Sequence, residues 1–567
     1  MTTTNVDLIF LWHMHQPDFR HHATGEFVRP WVYLHGIKDY TDMAWHLEHH
    51  PQVKAVVNLV PILLEQIEDY AQQFANGQMR DPLLRLLAYE RMDDIGAEDR
   101  ARILDQCFLS NHSKMLEPFA PYRRLQEIYQ YVLKQHGKDS LGYLSGQYYA
   151  DLLTWYHLCW TGESVRREEP LVVKLMTQGE GFTREDRRAL FDLIGALMSG
   201  LIARYRRLQE RGQIEISTTP YYHPIAPLLI SLASAREAMP DAPMPQAAVY
   251  PGGRQRTAWH LQEAQRRHQE WFGEPPSGIW PAEGAVSWPF AEVVAEHGLA
   301  WMASGEGVLR NTLAREGAGA ADDASYSPYL LNTAGGQVSI FFRDDRLSDL
   351  IGFEYKNWHG RDAASHFIAQ VEEIRAKATS NDTPVVSVIL DGENAWEHYP
   401  YNAFYFFKDL YETLSAHESI RTTTFSSCIA RRKQQGAKER TLSTLVTGSW
   451  VYGNLATWIG SPDKNRAWDL LCTAKRSYDW VMGSGRLSQT ETQAAALQLA
   501  ACEGSDWYWW FGDYNPPHVV QTFDEIFRAS LVELYRSLKI PPPAVLAEPI
   551  SRGGGEPESG GAMRRAA

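Results

Sequence analysis

The sequence predicts an α/β fold built on a barrel-like parallel sheet, and three observations carry that reading. Short apolar runs alternate with helical patterns, which means a parallel sheet covered on both faces. Several of those runs end in polar clusters, the arrangement of an active-site face at the C-terminal ends of barrel strands. Two long stretches do not alternate at all: residues 80–212 read as a helical insertion and residues 411–542 as a C-terminal helical domain, leaving residues 1–410 as the catalytic barrel.

The strand candidates are Leu8–His15, Val53–Val60, Gln213–Ser217, Gly278–Trp280, Leu299–Ala303, Gln337–Phe342 and Pro384–Leu390. Between them lie helices such as Thr257–Phe272, whose apolar positions recur at helical spacing and which Gly273 and Pro275 close. His13 and His15 end the first strand on one face, because side chains alternate along a strand. Glu215 lies within the third, Glu283 follows the fourth, Arg343-Asp344-Asp345 follow the sixth and Asp391 follows the last. Residues 543–567, rich in Gly, Pro, Glu and Ser with no apolar periodicity, read as a disordered tail.

At 567 residues with 44% hydrophobic and 22% charged residues, the chain has the balance of a globular protein with a large core. A net charge of −14 argues against nucleic-acid and anionic-membrane partners, which need a basic face, and suits a neutral substrate. Five cysteines without metal-type spacing read as buried thiols in a reducing compartment. The N-terminus has no basic segment before an apolar one, and no apolar run approaches the ~20 residues of a membrane span. These features predict a cytoplasmic protein.

Chemistry concentrates in a few segments. Gly278-Ile-Trp-Pro-Ala-Glu-Gly284 holds Glu283 between a proline that restricts the backbone and a glycine that permits a tight turn, which suits a nucleophile and equally a helix-start carboxylate. Val385 to Glu397 is an apolar strand running into an acidic loop with Asp391, Glu393 and Trp396. Crowded carboxylates raise at least one pKa, so Asp391 at the strand end is the candidate general acid, while Glu393 and Glu397 also fit a capped helix start. Glu215 is a charge in an apolar strand and demands a partner or a function; His223 follows eight residues later. His13 and His15 read either as metal ligands or, with Gln16 and Trp12, as hydrogen-bond donors to sugar hydroxyls. The segments holding Trp450 and Trp458, and Asp506 and Trp507, fit exposed sugar platforms or domain packing equally well.

Five of these segments occur in one order: His13-Met-His-Gln-Pro17; Gly212 to Ile216 through His223-Pro224; Ile279-Trp-Pro-Ala-Glu283; Leu390-Asp-Gly-Glu-Asn-Ala-Trp-Glu397; and Trp450 to Trp458. On them the sequence resembles glycoside hydrolase family 57, over roughly residues 5–515. The resemblance implies a (β/α)7 barrel, an incomplete relative of the eight-fold TIM barrel, with a helical domain closing the cleft. It implies Glu283 as nucleophile and Asp391 as acid/base in a retaining mechanism that needs no metal or other cofactor, with His13, His15, Glu215 and Trp280 around the scissile bond. It implies an α-glucan partner, cut at α-1,4 and also α-1,6 bonds, and the motif forms look like the α-amylase and amylopullulanase members. Asp18, where the family commonly has an aromatic residue, departs from the pattern. A glucanotransferase or branching enzyme of the same family is the nearest alternative. A metal-dependent carbohydrate hydrolase or deacetylase built on His13, His15 and Asp391 is the alternative of another class, and a non-catalytic glucan-binding protein is a third.

Overall fold

The computed structural model describes residues 5–319, 323–378 and 383–555. Among the described residues there are ten strands: β1 (Val6–Met14), β2 (Ala55–Leu59), β3 (Ile214–Ser217), β4 (Gly278–Ile279), β5 (Trp301–Gly305), β6 (Tyr329–Thr333), β7 (Gly336–Arg343), β8 (Val385–Asp391), β9 (Ile420–Thr422) and β10 (Arg440–Leu442). Seven of them close a ring of parallel neighbours, β1–β2–β3–β4–β5–β7–β8 and back to β1. Two seams are thin. The β3–β4 seam is the Thr218–Ile279 bridge, with Trp280 N–H donating to Thr218 O at 3.1 Å, and the β7–β8 seam is one register pair, Arg343 with Ser387. The fold is therefore a (β/α)7 barrel. β6 pairs antiparallel with β7, β10 extends β6, and β9 joins the N-terminal end of β1.

Strand parity divides the core. In β1, Leu8, Phe10, Trp12 and Met14 face the surrounding helices, while Ile9 and Leu11 face the barrel interior with Val56, Ala303, Phe341 and Ile389. One step further along the same parity are His13, Asn58, Arg343 and Asp391, so a polar layer sits on the apolar fill. Trp12 is thus packed outward against Trp396 and Phe407, away from any sugar. The helix Phe425–Gln434 plugs the opposite end of the barrel with Phe425 and Cys428.

Between β2 and β3 the chain is helical from Pro61 to Glu210 apart from its connections. After β10, four helices follow: Pro462–Gly483, Gln489–Cys502, Asp506–Trp510 and Pro517–Ser537. A boundary at 410 falls inside the helix Phe404–Ala416, and β9 and β10 still belong to the sheet beyond it. Each has three residues, too few for a periodic pattern. The expected unstructured tail is also corrected up to residue 555. Leu546 and Ile550 are buried, Asp524 accepts from the backbone N–H groups of Ile550 (2.7 Å) and Ser551 (3.2 Å), and Ser551 Oγ donates to Asp463 at 2.7 Å. Anchoring by isolated contacts leaves no periodicity to read; residues 556–567 lie outside the described residues. All five cysteines are buried free thiols. Among the described residues no helix is long and apolar enough to cross a membrane.

Candidate active site

A cavity of about 830 Å³ opens at the C-terminal mouth of the barrel, lined by His13, His15, Gln16, Glu283, Asp391, Glu393, Trp450 and Asp506 among the sequence candidates. In the ring of seven, β4 and β8 stand as far apart as two strands can, so Glu283 and Asp391 enter the cavity from opposite sides of the mouth.

Glu283 sits in the single turn Ala282–Gly284 in a left-handed conformation, φ 58° and ψ 25°. For a residue with a Cβ this costs on the order of 1–2 kcal/mol, and such strain concentrates at functional positions. Gly284 (φ 58°) shares the turn, and a Cβ there would lie 2.7 Å from the Trp280 ring. Trp450 holds the carboxylate: its indole N–H donates to Glu283 Oε2 at 3.0 Å and its backbone N–H to Glu283 O at 3.2 Å.

Asp391 ends β8 in register with His13. Burial pushes its carboxyl up to about 6, against the opposing pull of the Asn394 amide (2.9 Å to Oδ2), His15 and Arg343. Glu393 is pushed well above the usual carboxylate range by burial and then by the charges of Asp391 and Asp39; its Oε1 accepts from His15 N–H at 3.4 Å.

The histidines form a stack. His15 and His223 are 3.9 Å apart at 16°, and His13 lies 5.3 Å from His223. Burial, then the neighbouring His15, lowers His13 to about 3, and the same causes hold His223 well below its ordinary value. Asn58 fixes the His13 tautomer. Its amide nitrogen donates to Ser217 Oγ (3.0 Å) and Thr218 O (2.7 Å), so its oxygen accepts from His13 Nδ1 at 2.7 Å. His13 therefore presents Nε2 as an acceptor, not the donor expected from sequence. His15 Nε2 donates to Asp506 Oδ1 at 2.8 Å, and His223 Nδ1 meets Ser505 Oγ at 2.8 Å.

His15, His223 and Asp506 bring ligand-type atoms within 4.8 Å of one another. Stacked rings point their nitrogen lone pairs side by side instead of at a common centre, and one edge is already a hydrogen bond. Within the set His15 and Asp506 share a hydrogen bond while His223 turns Nδ1 to Ser505, and the cluster includes neither His13 nor Asp391.

Other candidates are placed elsewhere. Glu215 accepts from Trp301 Nε1 (2.6 Å), Ser426 Oγ (2.6 Å) and Ser426 N–H (3.0 Å), capping the plug helix inside the barrel and away from the cavity lining. Trp280 is fully buried, edge-on to Trp450 at 5.2 Å, and His223 lies behind His15, so both support the lining from beneath. Trp396 (indole N–H to Gly392 O, 2.8 Å), Trp458 and Trp507 are buried packing residues. From the second Trp-rich segment the cavity takes Trp509 and Trp510 instead, because the helix Asp506–Trp510 turns Trp507 into the core.

Sequence reasoning passed over Arg343. Its guanidinium is buried, bonded to Asp345 (2.8 Å), Asp349 (2.9 Å) and Ile389 O (2.8 Å), and lies 5.5 Å over the Trp450 ring. It thus touches the residue that holds Glu283 and also biases Asp391. Its signal was the polar cluster at the end of β7. The wall at Phe108–His112, from the helical insertion, carried no signal; there the Asn111 amide meets His398 Nδ1 at 3.1 Å.

A family model for glycosyl hydrolase family 57 matches residues 9–441. No curated protein matches the chain by sequence. Solved structures do match in fold, each at 14% identity. They include a GH57 branching enzyme from Thermococcus kodakaraensis (TM-score 0.59, covering 94% of this chain and 90% of that one). A second GH57-type branching enzyme, from Pyrococcus horikoshii, has TM-score 0.56 over 98% and 99%, and the α-amylase AmyC from Thermotoga maritima has 0.56 over 94% of each chain.

Proposed function

The chain belongs to glycosyl hydrolase family 57, and on that premise we propose that it cleaves α-1,4 glucosidic bonds, and α-1,6 bonds as well, in starch- or glycogen-type α-glucan by double displacement. The observation that carries the reading is the pair of carboxylates entering one cavity from opposite sides, one held by Trp450 and the other pushed up to about 6 by burial.

Asp391, protonated, donates to the glycosidic oxygen while Glu283 Oε attacks the anomeric carbon, forming a glucosyl ester and releasing the leaving chain. Asp391, now a carboxylate, takes a proton from the incoming water, and the ester breaks with retention. His13 Nε2 accepts from a sugar hydroxyl, and Trp509 and Trp510 offer apolar faces to the ring. Transfer to a sugar acceptor is the second reading. The wall formed by the insertion and the C-terminal helices favours it, since enclosure against water lets a bound hydroxyl compete for the glucosyl ester.

Incubation with amylose, soluble starch and pullulan tests both. Release of reducing ends indicates hydrolysis, and redistribution of chain length without it indicates transfer. Glu283→Gln is expected to lower turnover by about 10⁴-fold or more while retaining amylose binding. Turnover surviving that change would remove the proposed nucleophile.

A further inference from the structure

One exposed aromatic patch stands beside the cavity. Trp358, Tyr401 and Tyr405 are 42%, 56% and 44% exposed. The two tyrosine rings stand 5.5 Å apart and perpendicular. Arg167 lies 5.1 Å from the Tyr405 ring and 6.0 Å from Tyr401, and its Nη2 donates to the Tyr405 hydroxyl at 3.1 Å. Trp358, braced by Tyr355 and His366, comes from a segment in contact with the same backbone: a Cβ on Gly360 would lie 2.9 Å from Phe406 N and 3.1 Å from Tyr405 C.

The patch is tied to the cavity along the chain. His398 lines the cavity and precedes Tyr401 by three residues, which limits their Cα separation to about 11 Å. Phe353, also in the lining, precedes Trp358 by five. Tyr401, Asn402 and Ala403 are all left-handed (φ 55°, 52° and 60°), a costly run for residues with a Cβ. Asn402 turns inward, its amide donating to the buried Asp42 at 2.8 Å, while Tyr401 stays in solvent.

We propose that Trp358, Tyr401 and Tyr405 form an outer binding platform for the α-glucan chain, gripping the part of the polymer that leaves the cavity over the His398 rim. The inference rests on the α-glucan reading of the cavity. Flat rings with a polar edge match the apolar CH faces and hydroxyls of glucose units. Glu163 pairs with both Arg167 (2.7 Å) and Arg166 (2.8 Å), and the Arg167 guanidinium lies against the tyrosine rings, so the patch presents mainly aromatic faces and hydroxyls, which suit a polyol. A polymer held at two places gains affinity through effective concentration, whereas a chain too short to span both gains none.

The test compares the full-length enzyme with a Tyr401→Ala/Tyr405→Ala variant on amylose and on a short maltooligosaccharide. KM for amylose is expected to rise about five- to twenty-fold, with kcat and the oligosaccharide KM unchanged, an effect below the 10²-fold and larger gains of well-matched linked sites. An unchanged amylose KM, or an equal loss on both substrates, overturns the platform. So does a wild-type dimer in sedimentation that the variant dissociates, which would make the patch a copy-to-copy interface. Retardation in amylose-containing gels, run in the Glu283→Gln background, separates this proposal from the catalytic one. Retardation lost with the tyrosines supports the platform even where turnover of α-glucan is absent; retardation unaffected by them sinks it.

Discussion

Asp391 and Glu503 are both buried carboxylates, and they lie at opposite extremes. Asp391, at the cavity, has the Asn394 amide on one oxygen and is pushed up to about 6. Burial alone would also raise Glu503, at the seam between the helix Gly253–Phe272 and the C-terminal helices. Instead Arg256 (2.7 and 2.8 Å) and His260 (2.8 Å) bring it down to about 2, and the Tyr250 hydroxyl adds a further bond. Equal burial with opposite partnering separates a group poised to exchange a proton from one locked as an anion. The locked anion also serves the poised one. Glu503 anchors the segment that continues through Ser505 and Asp506 to His223 and His15, so the helical domain reaches the barrel site through a fixed joint.

The contrast predicts opposite responses to removing the charge. Glu503→Ala leaves Arg256 buried without its anion and should destabilise the fold by about 3–5 kcal/mol in guanidinium unfolding. A loss below about 1 kcal/mol would show that the joint is not structural. Asp391→Asn should do the reverse at neutral pH. Below about pH 3 the wild-type carboxyl is neutral in both folded and unfolded chains. As pH rises toward 6 the unfolded chain ionises while the folded one resists, and above 6 the full penalty of a buried charge remains. Removing the ionisable group should therefore raise stability at pH 7.5 by about 2–3 kcal/mol, with the gain vanishing near pH 3. Turnover should fall about 10²–10⁴-fold as the general acid is lost. A gain over wild type that is the same at both pH values would refute the raised Asp391 pKa.

Most of the seven ring strands are legible because they are buried on both faces and read as apolar runs, although β3 carries Glu215 and β4 is only two residues long. β9 and β10 escape notice because three residues cannot set a period. Glu283 and Asp391 are legible because they follow directly from strand ends, where chain direction alone decides what faces the mouth. Glu215 looks equally functional, yet its partners Trp301 and Ser426 lie 86 and 211 residues away and no local pattern reveals that it caps a helix. Among the aromatics of Asp506–Trp510, helix phase and docking decide which ring enters the cavity; the sequence shows their abundance but not their direction. Trp358 and the two tyrosines lie in segments joined by tertiary packing, with Gly360 against Tyr405 and Phe406 and Tyr355 against Phe406, which no local pattern reveals.

Arg343 offers the finest test of what separates the two carboxylates. Of the groups that favour the Asp391 anion, the Asn394 amide is uncharged, so His15 and Arg343 supply the charge-based pull toward ionisation. Arg343→Met keeps most of the stem over Trp450 but removes the charge. Asp391 should then hold its proton to higher pH, and the alkaline limb of kcat/KM should move up by about one unit, roughly 1.4 kcal/mol of lost preference for the anion. Arg343→Lys keeps the charge and should leave the limb near its wild-type position while weakening the planar contact with Trp450, which would appear as a lower kcat. If the limb stays in place in Arg343→Met while kcat falls, the guanidinium acts only through Trp450 and Glu283. In that case burial, the Asn394 amide and His15 set the poise of Asp391.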